Sequence, residues 1–512
     1  MRQRMGSSRI DRRTRLAASA IFGLLLLASA PPLGRVFAQR DSAATTTSES
    51  PASPRGVRPR DGARLFTRHV VFDWTRHPQA ARYQLQIAEV VRANEDPFAA
   101  VLAADLTVEA PPQVVMAGLD WGRRYAWRVR PLRIEEGEPR PIAGWSAAQR
   151  FEVAPLPPHC PPIGTQLYRP REMHPGLTLF NVSSPNRIFG GRDAGIALAI
   201  DAAGQIVWFR YEPKRFTDLR LLPNGRVLFV TDNAAVEAEL DGTVTWRTPE
   251  RIQVHHDATP LPNGNVLCLV YDTRSVTIGG RREEWQGDAV VEVTRSGRVV
   301  WRWSAWDHLP TSVRDAPTYE AWNRREPFDW THGNAAYYSA AERAVYVSLR
   351  NVSRVVKVDR RTRRVVWQMG AGCPLGDGLF TYQHAPQIIA PGRMLLFDNG
   401  NRRRGRTPGP PEEAFSRAIE LAYDEKSTPP TVRLVWEYRV PYGQAQGEAD
   451  RLPNGNTLIA DGYNGRIVEV SPEGEPVWEM TLPGAKPQDY IIYRSERIPS
   501  LYPQLGNPPV VR

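Results

Sequence analysis

One short strand pattern ending in tryptophan recurs along most of the chain. Successive copies lie roughly 40 to 70 residues apart. The copies are GQIVW (ending at Trp208), GTVTW (Trp246), GRVVW (Trp301), RRVVW (Trp367), VRLVW (Trp436) and GEPVW (Trp478). A repeated unit that cannot bury its apolar face alone must stack on its neighbours. The repeat therefore predicts an array of similar units, with the tryptophans packed between them.

A second recurring element is a tight turn between two apolar strands. It appears in LLPNGRVLFV, PLPNGNVLCLV and RLPNGNTLIA. Asn-Gly supplies the positive φ angles that two-residue hairpins need. Six tryptophan-ended strands joined to such hairpins predict an all-β fold, a six-bladed β-propeller over residues 166–485. Quinoprotein propellers also repeat tryptophans, but they usually have eight blades, and this chain has room for six.

Residues 56–154 have a different pattern, that of short alternating strands with turn residues between them. The strands are HVVFDWTRH, ARYQLQIAEV, RRYAWRVRPL and AAQRFEVAP. Trp74, Tyr83, Trp127 and Phe151 fall at positions that should face a core. This region resembles a fibronectin-III or immunoglobulin-like β-sandwich. The proline-rich residues 155–165 are interpreted as a linker to the propeller.

The N-terminus resembles an export signal. Residues 1–15 are basic, and LAASAIFGLLLLASA, residues 16–30, is apolar but short for a membrane span. Residues 1–38 are therefore predicted to be a signal peptide or a retained N-terminal anchor, and residues 39–55 a polar linker. Export would place the protein in the periplasm or outside the cell. Residues 486–512 are expected to form a C-terminal tail.

Charge and cysteine content narrow the function classes. The net charge of +11 is carried mostly by arginine. These arginines are scattered, without a basic helix or zinc-finger spacing, so nucleic acid is not expected as a partner; a positive field favours small anionic substrates. The three cysteines allow at most one disulfide, and Cys160 with Cys373 is the expected pair because both lie in loop-like Pro/Gly stretches.

Three histidines recur at one spacing from a hairpin turn. His256 lies seven residues before Asn263, where the Asn-Gly turn begins. His384 lies seven before Pro391 and His332 seven before Ser339, which also begin turns. Three consecutive blades are therefore predicted to carry histidine at the start of their innermost strand, at the mouth of a central channel. The second and sixth blades have Thr217 and Gly447 at this position.

Two further residues are expected at the same mouth. Asn334 should point the same way as His332, because strand side chains repeat with a period of two. Arg350 ends the following strand, where other blades end near an acid. Three histidines could hold zinc with an open position. An arginine would repel that cation, and together with asparagine and imidazole N–H groups it indicates a site for sulfate or phosphate.

Four stretches in this order resemble the bacterial arylsulfotransferases, over roughly residues 56–485. They are HHDATPLPNGN, DWTHGNAAYY, VYVSLRNVSRVVKVDRRT with VVWQMG, and YQHAPQ followed by LLFDNGNRR. The resemblance implies nucleotide-independent transfer of a sulfuryl group from a phenolic sulfate ester to a phenol, with no cofactor. It also implies that His384 is the histidine that becomes transiently sulfated. His256, His332, Asn334 and Arg350 would surround the sulfate, and a homodimer through the sandwich would be expected.

The chain departs from the family pattern next to the expected nucleophile. An acidic residue is expected after that histidine, whereas this chain has Ala385-Pro386. Two alternatives remain open. One is a metal-dependent hydrolase or lactonase propeller that uses the same histidines. The lack of Asp or Glu at the histidine position argues against a metal site, because Asp257 follows His256 directly and is expected to point away from the channel. The other is a non-catalytic binding propeller in which the sandwich serves as an adhesion module.

Overall fold

The computed structural model describes residues 53–511, except for 93–94, 100, 117, 190–193, 215, 316–318, 320–326, 404–413, 485–487 and 507–509. The predicted export segment, residues 1–38, and all but the end of the predicted linker, residues 39–55, lie outside the described residues. Within the part that is described, no helix is long and apolar enough to cross a membrane. The described part of the protein is all-β, as predicted: the helices whose bounds fall wholly within it are single 3-10 turns at Pro97–Ala99, Ala305–Asp307, Gly462–Asn464 and Pro503–Leu505.

The N-terminal described residues form two sheets around a shared core. Their strands are β1 (Gly56–Arg58), β2 (Ala63–Leu65), β3 (Val70–Trp74), β4 (Arg82–Glu89), β5 (Leu102–Val108), β6 (Gln113–Val115), β7 (Arg124–Glu135), β8 (Glu138–Pro141) and β9 (Gln149–Val153). One sheet contains β1, β3 and β6, and the other has the order β2-β9-β7-β4-β5 with β8 beside β7. Trp74, Tyr83, Trp127 and Phe151 are all buried in the core between them.

The strands of the next region alternate with tight turns. They are β10 (Gly164–Leu167), β11 (Leu177–Ser183), β12 (Gly195–Ile200), β13 (Ile206–Glu212), β14 (Phe216–Leu221), β15 (Val227–Thr231), β16 (Ala234–Ala238), β17 (Val244–Arg247), β18 (Val254–Pro260), β19 (Val266–Ile278), β20 (Arg281–Val293) and β21 (Val299–Ser304).

The same alternation continues to the C-terminus. The remaining strands are β22 (Phe328–Asp329), β23 (Gly333–Ser339), β24 (Ala344–Leu349), β25 (Arg354–Asp359), β26 (Val365–Gly370), β27 (His384–Ala390), β28 (Arg393–Asp398), β29 (Phe415–Asp424), β30 (Thr431–Pro441), β31 (Glu448–Arg451), β32 (Thr457–Asp461), β33 (Arg466–Val470), β34 (Pro476–Thr481), β35 (Ile491–Ile498) and β36 (Val510–Val511).

Apart from the short strand β22, which pairs in parallel, the described strands from β10 to β35 pair antiparallel into six sheets, which we number I to VI. Sheet I has the order β35-β11-β12-β13, and sheets II to V each follow chain order from β14, β18, β23 and β27. Sheet VI has the order β31-β32-β33-β34-β10. The short strand β22 pairs with β20 of sheet III.

The first-named strands of the six sheets form a closed ring. Strand β14 contacts β18, β18 contacts β23, β23 contacts β27, β27 contacts β31, β31 contacts β35, and β35 contacts β14. We call these six the inner strands. Residues from distant parts of the chain can therefore meet along one axis, which is why residues between 218 and 494 can share one site.

The six repeated tryptophans connect each sheet to the next. Their indole N–H groups donate to oxygen atoms of the following sheet at 2.8–3.0 Å: Trp208 to Leu240, Trp246 to Arg295, Trp301 to Arg360, Trp367 to Glu425, Trp436 to Pro472 and Trp478 to Ala202. A hydrophobic cluster also fills the space between every pair of neighbouring sheets. Burial of these apolar faces is the main stabilising term of such an array.

Residues 486–512, expected to form a C-terminal tail, instead contribute two strands to the sheets. Strand β35 pairs with β11 and is the inner strand of sheet I. Strand β36 then pairs in parallel with β6 of the N-terminal sheet pair, and between them the Tyr502 hydroxyl donates to the His69 carbonyl. The prediction failed because β35 is recognisable only by its distant partner β11, and its sequence carries neither the turn nor the tryptophan of the repeat.

The expected disulfide is also absent from the described chain. Cys160, Cys268 and Cys373 are all free. Cys160 packs against the hydrophobic cluster between sheets VI and I, whereas Cys373 follows strand β26 of sheet IV and donates to the Ala371 carbonyl at 3.7 Å. Loop-like sequence is shared by the two cysteines, but spatial proximity is what a disulfide requires.

Candidate functional site

The inner strands begin with a distorted backbone. A left-handed residue stands at or near the start of most of them: Asp218, His256, His332, Ala385 and Gln446, with φ between 45° and 59°. The pairing register shifts across Asp218, His256 and Ala385, and in β23 it shifts just after His332, between Gly333 and Ala335. His256 and His332 thus occupy matching positions, whereas in β27 Ala385 is left-handed and His384 precedes it. The sequence analysis placed all three histidines at one position of the inner strand. His384 instead lies one residue before the left-handed residue of its strand, because counting residues back from a turn does not reveal a bulge.

His384 is buried at the first position of β27. Its Nδ1 lies 2.6 Å from Oδ1 of Asn399. The Asn399 amide nitrogen donates to the Gly443 and Gln446 carbonyls, both at 2.8 Å, which fixes the orientation of that amide. Because Oδ1 can only accept, Nδ1 of His384 carries the proton. The lone pair of the neutral ring is therefore on Nε2.

The surroundings of His384 keep the ring uncharged. Burial lowers the pKa of His384 well below 6.5, and the positive charge of Arg350 lowers it further. The hydrogen bond to Asn399 acts in the opposite direction but is outweighed. A neutral imidazole whose Nε2 lone pair is not taken up by Asn399 is a competent nucleophile or base.

Arg350 follows β24 and is held over the same site. Its Nη1 donates to Asn351 and its Nη2 to the Gln444 carbonyl, each at 2.8 Å. The guanidinium lies 4.7 Å from the ring centre of Tyr382. Its Nε is buried with no hydrogen-bond partner among the described residues. A fixed guanidinium with an unused donor is suited to an anionic ligand.

The imidazole rings of His332 and His256 pack against each other beside His384. The two ring centres lie 4.9 Å apart in an edge-to-face arrangement. Nδ1 of His332 contacts the Asp329 carboxylate. Burial opposes ionisation of Asp329, but the neighbouring His332, with smaller contributions from His255 and Arg350, lowers the pKa of that carboxyl. The carboxylate therefore orients His332 so that Nε2 faces away from it.

A residue that the sequence analysis did not select, His255, continues this array. Its Nδ1 lies 2.7 Å from Nδ1 of His256, and its Nε2 lies 3.1 Å from Oδ1 of Asp288. The ring also stacks on Tyr271, with centres 4.0 Å apart. The only signal in the sequence was the adjacent pair His255-His256. Strand alternation places neighbouring side chains on opposite faces, and the left-handed backbone at His256 breaks that alternation.

Asn334 contacts the main chain next to His384. Its amide nitrogen donates to the Gln383 carbonyl at 2.8 Å, while its Oδ1 is buried without a hydrogen-bond partner among the described residues. Asn334 thus links β23 to the start of β27. Asn399, like His255, was missed as a site residue by the sequence analysis, although it lies in the quoted LLFDNGNRR stretch.

Below the histidines, the inner strands enclose a buried ion-pair network centred on Arg494. Its guanidinium lies 2.6 Å from Glu448, 3.3 Å from Asp257 and 3.5 Å from Asp218. Asp257 also pairs with Arg220 at 2.9 Å. The expectation that Asp257 points away from the channel is therefore wrong, because the left-handed His256 before it breaks the alternation of side chains.

A cleft of about 230 Å³ opens beside the histidines, between sheets II and III. Its lining includes Lys214, Thr217, Asn233, His255, His256 and Tyr271. Polar groups and one aromatic face thus border the imidazoles. The cleft thus reaches His255 and His256, whereas His332, Arg350 and His384 do not line it.

The geometry leaves little to bind a metal ion. Among the described residues no group of three His, Cys, Asp or Glu side chains is arranged to hold one. Each predicted histidine instead uses Nδ1 for a side-chain contact, with His255, Asp329 or Asn399. The neutral ring of His384 together with the guanidinium of Arg350 is typical of a site that binds an anionic group.

The fold and site define an all-β protein with a histidine- and arginine-lined site at one end of a ring of strands. The family model described as Arylsulfotransferase (ASST) matches residues 166–494. The chain belongs to the arylsulfotransferase family, as its four motifs predicted.

Two curated relatives are arylsulfate sulfotransferases named AssT. The one from Escherichia coli O6:H1 is 27% identical, over 36% of this chain and 40% of its own length. The one from Lelliottia amnigena is 23% identical over the same shares. The matched region thus spans about 40% of the relatives' length. Among solved structures, a protein of unknown function from Bacteroides caccae is 15% identical with a TM-score of 0.39, over 63% of this chain and 100% of its own.

Proposed function

We propose that this protein is a nucleotide-independent arylsulfotransferase that moves a sulfuryl group from a phenolic sulfate ester to an acceptor phenol through a sulfohistidine at His384. The observation that carries the proposal is the state of His384: buried, kept neutral beside Arg350, and protonated on Nδ1 by its contact with Asn399. Membership of the arylsulfotransferase family supplies the reaction class.

In the first half-reaction, the Nε2 lone pair of His384 attacks sulfur in line with the bond to the phenolic oxygen. The S–O bond breaks as the N–S bond forms, and the phenolate leaves with the electron pair. Arg350 and the Nε2 edges of His256 and His332 surround the sulfuryl oxygens, whose charge changes in the transition state. A protonated imidazole beside the leaving oxygen supplies its proton.

In the second half-reaction, the acceptor phenol attacks the sulfur of the sulfohistidine. The same imidazole that protonated the first phenol removes the proton of the second, and the N–S bond breaks to regenerate His384. Asn399 replaces the acidic neighbour expected from the family pattern: it orients His384 from the next strand, so Ala385-Pro386 is compatible with turnover.

Several further properties belong to the same proposal. The six sheets are the blades of a six-bladed β-propeller, supported by the closed ring of inner strands, and the N-terminal sheet pair is a fibronectin-III-like sandwich, supported by its shared aromatic core. We also propose export to the periplasm or beyond, from the composition of residues 1–38. No cofactor is required, and a homodimer through the sandwich stays a prediction.

The proposal is tested with 4-nitrophenyl sulfate and a second phenol as acceptor, in the presence of a chelator and without nucleotide. Wild type should release nitrophenol in an acceptor-dependent manner, and His384→Ala should lower the rate by about 10⁴-fold or more, as loss of a nucleophile does. After a short reaction without acceptor, the protein is digested without exposure to acid. Mass spectrometry should then find one sulfuryl group on the peptide that contains His384.

The matched control is His308→Ala, because His308 stacks on Trp303 and takes no part in the proposed site; it should retain activity. Release that requires added metal and stops with chelator would support the hydrolase alternative instead. Binding of aryl sulfates without turnover in the wild type would indicate a binding propeller. A sulfuryl group on another histidine would remove His384 from the nucleophilic role.

A further inference from the structure

Tyr382, two residues before the proposed nucleophile, packs against Arg350 of the neighbouring sheet. The Arg350 guanidinium lies over the ring of Tyr382, 4.7 Å from its centre. The backbone N–H of Tyr382 donates to the Ser353 hydroxyl at 3.1 Å, and the Ser353 N–H donates to the Arg350 carbonyl at 2.9 Å. Tyr382 therefore contacts both ends of the turn that carries Arg350, with its ring at one end and its backbone at the other.

The position of the Tyr382 ring is fixed by its surroundings. Its φ is +55°, a left-handed value that is uncommon for a bulky residue and persists only where surrounding contacts impose it. The side chain is buried, and its hydroxyl donates to the Asp315 carboxylate at 2.7 Å. The same carboxylate oxygen accepts from Arg402 at 2.5 Å. Contacts at the backbone and at the hydroxyl thus hold the ring in place.

The ring suits the charge of the guanidinium. An aromatic face is negative and attracts a cation, most strongly where water is excluded. A phenol that donates to a carboxylate becomes more electron-rich, since linked hydrogen-bonding groups polarise one another. Burial lowers the pKa of Arg350, so a contact that favours its charged form has a large effect here.

The other contacts of Arg350 leave one rotation of its guanidinium open. Nη1 donates to Asn351 and Nη2 to the Gln444 carbonyl, each at 2.8 Å. Two fixed corners still permit rotation about the line that joins them, and contact with the face of the Tyr382 ring opposes this rotation. Nε is buried without a hydrogen-bond partner among the described residues, so the direction of its N–H depends on that rotation.

We infer that Tyr382 is a positioning residue for Arg350: its ring restricts the tilt of the guanidinium, so that Nε can donate to an oxygen of the bound sulfuryl group. The inference rests on the proposed function, in which Arg350 contacts that group. One short segment then carries both the nucleophile and the support of the arginine. A sulfate ester that Arg350 binds is consequently placed relative to His384 as well.

Binding of 4-nitrophenyl sulfate tests this role without turnover. Every variant is made in the His384→Ala protein, which should leave the ester intact, and binding is measured by isothermal titration calorimetry. Tyr382→Leu should weaken binding by about 10-fold, the size expected when one charge-assisted contact is misplaced. Tyr382→Phe keeps the ring face and loses only the hydroxyl, so its affinity should stay within about 3-fold of the parent.

Coupling to Arg350 distinguishes positioning from a structural role. When Arg350→Gln is already present, Tyr382→Leu should change the affinity by less than about 2-fold, because the group that Tyr382 positions is gone. Equal losses with and without Arg350 would overturn the inference, as would a loss in Tyr382→Phe equal to that in Tyr382→Leu. Should Tyr382→Leu not unfold cooperatively, Tyr382→Met takes its place, since methionine fills the space without an aromatic face.

Trp145→Leu is the matched control. It removes a ring, between β8 and β9, that lies 4.4 Å from the guanidinium groups of Arg128 and Arg130. The same kind of contact is thus lost outside the site, and binding should equal that of the parent. Binding without turnover in protein that retains His384 would refute the proposed function, while the variants would still decide the role of Tyr382. No binding in the parent would overturn both.

Discussion

At the scale of single residues, the candidate nucleophile is defined by what surrounds it rather than by its type. His384 is one of nine histidines, and among the described ones it combines a buried ring next to an arginine with an amide oxygen on Nδ1. Asn399 is held by two backbone carbonyls, so it acts as a rigid acceptor. Burial and hydrogen bonding together select the neutral form with its lone pair on Nε2.

The effect of Arg350 on His384 gives a pH prediction. Arg350 lowers the pKa of His384, so removing its charge should raise that pKa toward 6.5. Protonation removes the lone pair, and the rate is lost as pH falls through the pKa. In Arg350→Gln, the acid-side loss of single-turnover release from saturating 4-nitrophenyl sulfate should therefore begin at higher pH than in wild type.

The comparison variant for this measurement is Arg402→Gln. Arg402 is 46% exposed and pairs with Asp315, so its loss should leave the pH profile where it is. An acid limb that stays in place in Arg350→Gln would show that Arg350 does not set the protonation of His384. Weaker ester binding in Arg350→Gln is also expected, since the guanidinium is a proposed sulfate contact.

At the scale of elements, the start of each inner strand decides which side chains enter the site. Left-handed residues at His256 and His332 turn their rings inward and also bring Asp257 to Arg494. In sheet VI the residue seven before the Asn-Gly turn is Gly447, which follows the left-handed Gln446 and has a φ of +117°. A Cβ there would lie 2.3 Å from the ring of Phe397. Glycine is thus required for the close approach of sheets V and VI, so this position carries no side chain.

Gly447→Ala should lower the free energy of unfolding by about 3 kcal/mol or more, because strain in the backbone adds to a clash with a buried ring. Urea unfolding with equal slopes for both proteins measures the difference. Gly474→Ala is the control: its φ is +88° and no atom lies within 4 Å of the added Cβ, so only backbone strain of about 1–2 kcal/mol is expected. Equal losses in the two variants would mean that Phe397 moves aside at no cost.

At the scale of the whole molecule, closure of the ring of inner strands depends on residues from the last described part of the chain. Strand β35 completes sheet I, and its Arg494 contacts acids on β14, β18 and β31. It also donates to the Asn334 carbonyl on β23 at 3.4 Å. One side chain therefore joins five of the six inner strands directly below the histidines.

Arg494→Met should destabilise the protein by about 3–5 kcal/mol, since it leaves buried carboxylates without their cation. Denaturant unfolding followed by tryptophan fluorescence measures the change, as tryptophans lie between all the sheets. Arg439→Met is the control, because Arg439 is 60% exposed and its loss should cost no more than about 0.5 kcal/mol. A change below about 1 kcal/mol in Arg494→Met would indicate that the network does not hold the ring together.

The sequence by itself determined the all-β class, the array of tryptophan-linked sheets and the family. Each of these depends on short-range pattern: strand alternation, Asn-Gly turns and a tryptophan at a recurring place, all of which are set by neighbouring residues. His256, His332, Asn334, Arg350 and His384 were also selectable, because a repeated frame places the start of every inner strand at a countable distance from a turn. Their catalytic roles remain predictions.

Only the tertiary structure decided how those residues are held. Asn399, His255 and Asp288 gain their meaning from contacts across strands, and β35 is an inner strand only because β11 lies beside it. The left-handed backbone at His256 and Ala385 changed the directions in which neighbouring side chains point from those that strand alternation predicted. The two cysteines expected to pair lie in different packing environments. These features depend on interactions between residues distant in sequence, whose free energies no local pattern contains.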